Sequence, residues 1–157
     1  MTNLTEALEN YRVSLSCQEI VDDLLNKSRK GTIFHNTIFF NKSLDQARAL
    51  LVQAKTEIAD FSVVSLISVF ERIVFDHPKS PLRSKVHRKR SSGLNDAILH
   101  FKTQVSPRVY GDVNRLCEYR DWVAHGRRWE KPCEADPVNT YQCLIQFLEQ
   151  AGIQSNR

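Results

Sequence analysis

Arg120 and His125 are separated by four residues in the stretch Tyr119-Arg120-Asp121-Trp122-Val123-Ala124-His125-Gly126-Arg127-Arg128. Together they supply the two kinds of group that metal-free phosphodiester cleavage needs. An imidazole can accept and return a proton near neutral pH. A guanidinium beside the phosphorus-bound oxygens stabilises the charge that grows on them in the transition state. In RNA the 2′-hydroxyl is already present as nucleophile, so this chemistry calls for no metal or cofactor. On a helix the two residues lie about 140° apart around the axis, which sets them on either side of a groove rather than in contact. His125 falls at the expected helix end, where the macrodipole favours a cationic ring, and Asp121 stands one turn before it as a carboxylate. The spacing alone is common, because Arg29 with His35 and Arg72 with His77 are similarly placed, and a helix-capping histidine beside an exposed arginine is the competing account. What distinguishes Arg120 and His125 is their place on one amphipathic helix, with Arg127 and Arg128 directly after it.

The elements that must hold this pair are helical. A chain of 157 residues supports one domain, and with 5 Gly, 5 Pro and 41% hydrophobic residues it is neither disordered nor collagen-like. A first helix is expected from about Thr5 to Ser28, with Leu8, Tyr11, Leu15, Cys17, Ile20, Val21, Leu24 and Leu25 as its apolar stripe and Gly31 beyond its end. The β-branched and aromatic run from Thr32 to Phe40 reads as a short extended connection or hairpin arm. Ser43 and Gln46 have capping-box spacing, and no Gly or Pro follows until Pro78, which predicts a helix of about 33 residues. Leu44, Ala47, Leu51, Ala54, Ile58 and Phe61 mark its inner face, and the run from Phe61 to Phe75 is apolar almost all round, as a core helix must be. A short amphipathic helix is expected around Ala97, Ile98, Leu99 and Phe101. Ser106-Pro107 opens the motif-bearing helix, about 107 to 125, with Val109, Val113, Leu116, Cys117, Val123 and Ala124 inward and Gly126 as its C-terminal cap. A last helix runs from about 138 to 150 through Tyr141, Leu144, Ile145, Phe147 and Leu148. The expected fold is all-α, an up-down bundle of four to five helices with one long core helix, in a single domain over residues 1–157.

Charge adds a second surface. The net charge is +4, yet Lys79, Arg83, Lys85, Arg88, Lys89 and Arg90 stand within twelve residues that contain no acid, so the rest of the chain is net acidic. This basic loop, 79–92, is either a solvated connection or a footprint for RNA or DNA phosphates or an acidic partner. The N-terminus carries acids early and no apolar signal region, and no apolar run is long enough to cross a bilayer, so a cytoplasmic protein without membrane attachment is expected. Cys17, Cys117, Cys133 and Cys143 show no C-x-x-C spacing, which suits buried thiols better than a disulfide framework or a zinc site. Glu71 and Arg72 interrupt the apolar half of the long helix, where a buried charge needs a partner, and Glu71 reaching Arg120 would fix its guanidinium. Trp122 and Trp129 flank the motif as packing residues or as stacking surfaces for bases.

The segment Tyr119-Arg120-Asp121-Trp122-Val123-Ala124-His125-Gly126, preceded by the core helix Phe61-Ser62-Val63-Val64-Ser65-Leu66 that ends Val69-Phe70-Glu71-Arg72, resembles the HEPN superfamily (higher eukaryotes and prokaryotes nucleotide-binding). The resemblance spans residues 42–150. It implies an all-α bundle whose R-x4-6-H motif carries metal-independent endoribonuclease activity without a cofactor, at a homodimer cleft where two copies of the motif meet. It assigns Arg120 and His125 as the catalytic pair and Asp121, in the polar position after the arginine, as the residue that orients the site. Arg83, Lys85, Arg88, Lys89, Arg90, Arg127 and Arg128 would hold the RNA backbone. Toxin and anti-phage roles, with an antitoxin or operon partner, belong to the same implication. Arg127 occupies the place of a tyrosine found in the subgroup paired with nucleotidyltransferase antitoxins, so modification at that position is not expected. The alternative is a catalytically silent helical module of the same type that binds RNA or a protein partner.

Overall fold

Helices form where the sequence supplies their ends. The computed structural model describes residues 3–27, 34–77 and 94–153. Helix α1 spans Leu4–Lys27, with the Asn3 side chain accepting from the Glu6 amide at 2.8 Å. Helix α2 spans Leu44–Asp76 and starts at a complete capping box, Ser43 accepting from the Gln46 amide while Gln46 accepts from the Ser43 amide. Helix α3 is the short Leu94–Leu99. Helix α4, Pro107–Ala124, has Ser106 as N-cap and Pro107 in its first turn, where no amide hydrogen is needed. Helix α5, Pro137–Gln150, repeats that pattern with Asp136 accepting from the Val138 and Asn139 amides. It ends in a Schellman turn: Gly152 takes a φ of 67° and the Ile153 amide donates back to the Leu148 carbonyl at 2.9 Å. Among the described residues there is no strand, and the fold is the expected all-α bundle.

The contacts fix how the helices run. Arg48, near the start of α2, donates to Asn26 at the end of α1, so these two form an antiparallel hairpin. Arg127 after α4 reaches Glu57 while Arg120 reaches Glu71, so α4 runs against α2. The Ser106 amide donates to Gln150 at 2.7 Å, which sets the start of α4 beside the end of α5. Helix α2 touches all four others. Its inward face is Val63, Leu66, Ile67, Phe70 and Val74, buried against Val113, Leu116, Cys117, Tyr119, Leu144, Phe147 and Leu148. None of the described helices is long and apolar enough to cross a membrane.

Several expectations change. The run from Phe34 to Asn41 is a series of turns rather than an extended arm: the Thr37 and Phe40 amides donate to carbonyls three residues back, and Phe34 packs edge-on against Phe39 at 5.8 Å. Phe61 is 65% exposed, because it lies about 160° around α2 from the direction in which Val63, Phe70 and Val74 point. Ala124 is exposed in the last turn of α4, and Tyr119 takes the inward place instead. Cys17 is exposed, as is Ile20 at 60%, so the second half of the α1 stripe is only partly covered. Cys133 and Cys143 are half-buried, so Cys117 is the one buried thiol of the four, and Leu44 at the start of α2 is exposed rather than inward. The basic loop 79–92, with Arg83, Lys85, Arg88, Lys89 and Arg90, lies outside the described residues.

Candidate active site

Arg120 sits on the side of α4 that faces α2, and it is held from two directions. Its Nη1 donates to Glu71 Oε2 at 2.8 Å, its Nε donates to Asp121 Oδ1 at 3.0 Å, and its Nη2 lies 2.9 Å from that same oxygen as an ion-pair contact. The guanidinium side chain is 21% exposed, so the planar fork is fixed yet reachable. Partial burial works against its charge, but the hydrogen bond to Asp121 and the fields of Asp121 and Glu71 outweigh that and raise its pKa. The expected Glu71 to Arg120 bridge is therefore present. Asp121 orients the arginine rather than the histidine; what it gives His125 is its backbone carbonyl, which accepts the His125 amide at 2.9 Å.

His125 is the C-cap of α4 and is exposed. The turn that follows is a second Schellman motif. Gly126 takes a φ of 74°, its amide donates to the Val123 carbonyl at 3.0 Å, and the Arg127 amide donates to the Trp122 carbonyl at 2.8 Å. Arg127 also has positive φ, 59°, a conformation that costs a side-chain-bearing residue about 1–2 kcal/mol. The guanidinium offsets that strain. It donates to both carboxylate oxygens of Glu57, at 2.9 and 3.2 Å, and to Asp60, and its plane lies over the Trp122 ring at 5.7 Å. Asp60 is buried and also accepts from the Tyr119 hydroxyl at 2.6 Å.

The structure thus unites Arg120, Asp121 and Glu71 and leaves His125 exposed at the end of the same helix. It does not bring Arg127 to that group as a free cation, since the Arg127 charge is committed to Glu57 and Asp60. Arg128 is exposed. Sequence reasoning overlooked Asp60, Glu57 and Tyr119. A signal existed for Asp60, the single charged residue between Ile58 and Phe70 and hence one that requires a partner. Cavities of about 340 Å³ between α4 and α5 and about 310 Å³ beside α3 are lined by other residues, among them Arg108 with Asp112 and Asn95 with Glu118, and not by Arg120 or His125. The chain matches no family model, no curated protein and no solved structure.

Proposed function

We propose that the chain is a metal-independent endoribonuclease of the HEPN type, acting as a cytoplasmic homodimer in which two copies of the Arg120/His125 motif share a cleft, in a toxin or anti-phage setting. One observation carries the reading: Arg120 is gripped by Glu71 and Asp121 while an exposed His125 ends the same helix. Two of the five guanidinium donors make hydrogen bonds, the one on Nε and one on Nη1, which leaves one hydrogen on Nη1 and the two on Nη2 for phosphate oxygens. His125 takes the proton of the RNA 2′-hydroxyl. The 2′-oxygen bonds to phosphorus as the bond to the 5′-oxygen breaks, and an imidazolium returns a proton to that leaving oxygen. The products are a 2′,3′-cyclic phosphate and a 5′-hydroxyl. Arg128, together with Arg83, Lys85, Arg88, Lys89 and Arg90, would steer the backbone, so binding should weaken steeply with salt.

The test is cleavage of labelled RNA in EDTA by the parent and by His125→Ala, Arg120→Ala and Glu71→Gln, each checked for folding by circular dichroism. Loss of roughly a hundredfold or more is expected for His125→Ala and Arg120→Ala, with RNA binding kept for His125→Ala. Glu71→Gln should retain the fold and lose part of the rate. The second reading, a silent binding module, has one observation in its favour: two carboxylates outnumber the single charge of Arg120. Under it the parent binds RNA or a partner without cutting, and Arg120→Ala changes stability alone.

A further inference from the structure

We infer that the exposed face of Trp129 is the seat of an unpaired nucleobase, stacked beside the His125 imidazole; this deepens the RNA reading above and rests on it. The chain has 2 tryptophans, and the structure treats them in opposite ways. Trp122 is partly buried against the core, 5.4 Å from the Tyr119 ring. Trp129 is 48% exposed, with its ring centroid 5.8 Å from that of His125 and the planes inclined at 43°.

A lone exposed aromatic is ordinary, but this one is built in place. The Trp122 Nε1 donates to the Trp129 carbonyl at 2.7 Å. Two residues earlier, Arg127 ties the same loop to Glu57 and Asp60 of α2. The indole is thus presented on a backbone anchored at both positions, which lowers the ordering cost of binding. Every base offers a flat π-face, so a fixed indole accepts bases with little regard to sequence. A base in an A-form duplex is stacked inside the helix and cannot meet such a face, whereas a base in a single strand or loop can be splayed out onto it. Arg128, exposed and adjacent in sequence, is placed to meet a neighbouring phosphate. Lys131 is not so placed, since it is paired with Glu134 and lies over the Tyr119 ring. The substrate class is therefore RNA with at least one unpaired nucleotide beside the scissile phosphate.

The experiment uses the full chain labelled with 5-fluorotryptophan, its two fluorine resonances assigned with Trp129→Phe. Single-stranded oligoadenylate should shift the Trp129 resonance, and an abasic ribose-phosphate oligomer of equal length should not. Trp129→Ala should weaken oligoadenylate binding roughly ten- to a hundredfold, the value of one stacked base, with the salt dependence unchanged because no phosphate contact is lost. Trp129→Phe should restore most of the affinity. Equal affinity of the parent for the abasic oligomer overturns the proposal, as does parent-like binding by Trp129→Ala. So does a Trp129→Ala change in sedimentation with RNA affinity intact, which would make the ring a contact between copies. A parent that stacks oligoadenylate on Trp129 and never cuts it overturns the ribonuclease reading and leaves the base seat standing. Cleavage that His125→Ala abolishes and Trp129→Ala leaves untouched does the reverse.

Discussion

Cys117 lies on α4 one turn before the Arg120 and Asp121 pair and is buried at 1% exposure. Burial pushes its thiol from the ordinary 9.0 up to about 12; the Arg120 cation pulls the other way, and Asp121 and Glu71 add to the rise. Tyr119 is likewise held above its ordinary 10.0, first by burial and then by its hydrogen bond to the Asp60 carboxylate and that group's charge. Both groups are neutral when protonated, and the folded chain holds their protons more tightly than the unfolded chain does. Their contribution to stability is therefore complete below about pH 9 and is lost as the pH rises through the folded-state values. The urea midpoint should be level from pH 7 to pH 9 and fall above it, and Cys117→Ala and Tyr119→Phe should each flatten the fall. A fall of unchanged slope in both variants would show that other groups carry it. The same neutrality makes Cys117 a poor nucleophile.

At the scale of the element, the end of α4 is set by a tether to α2 rather than by the helix itself. Asp60 is the buried member, joined to both Tyr119 and Arg127, whereas the Glu57 side chain is 39% exposed. Asp60→Ala leaves the Tyr119 hydroxyl without its acceptor and should cost about 2–3 kcal/mol. Glu57→Ala, at a solvent-screened pair, should cost below about 1 kcal/mol. Urea midpoints at constant m-value measure both, and a double-mutant cycle of Asp60→Ala with Tyr119→Phe should show coupling. Equal costs for Asp60→Ala and Glu57→Ala would mean that burial does not decide the tether's strength. These elements also show what a sequence reveals. Ser43 with Gln46, Ser106 with Pro107 and Gly126 announce helix ends because a cap is a contact between residues a few places apart. Glu71 was legible because a charge among apolar neighbours must find a partner, and Arg120 was the motif's own cation. The positive φ of Arg127 and its bonds to Glu57 and Asp60 were not, since they join residues about 70 places apart and reverse the expectation from a run of two arginines. Phe61 was misread for a related reason: in a stretch apolar all round, periodicity no longer says which face meets the other helices.

On the scale of the whole molecule, α2 divides the chain into a body and an arm. It is about 50 Å long, and its buried residues are Ala47 near the start and then Asp60, Val63, Leu66, Ile67, Val69, Phe70 and Val74. Helix α1 buries Leu4, Ala7 and Leu8 and nothing deeper along its length. Residues 11–27 therefore pair with residues 44–58 as a two-helix arm, with Val13, Ile20 and Val52 more than half exposed. The body closes on an edge-to-face chain of rings, Phe70 on Phe147 at 5.3 Å and Phe101 on Phe147 at 6.3 Å, which joins α2, the segment after α3, and α5. Phe147→Ala should cost the body about 3–5 kcal/mol. An arm with so little buried apolar surface opens locally, at lower free energy than global unfolding. Native-state hydrogen exchange should then separate two classes of amide. Those of α4, α5 and the second half of α2 should lose protection together in Phe147→Ala, while those of residues 11–27 and 44–58 keep the protection of the parent. A drop in the arm that matches the drop in the body would mean that the two unfold as one unit. The candidate site belongs to the body on this division, since Arg120 is fixed to Glu71 and Arg127 to the buried Asp60, so under the proposed ribonuclease reading Phe147→Ala should lower RNA cleavage only where it lowers the folded fraction.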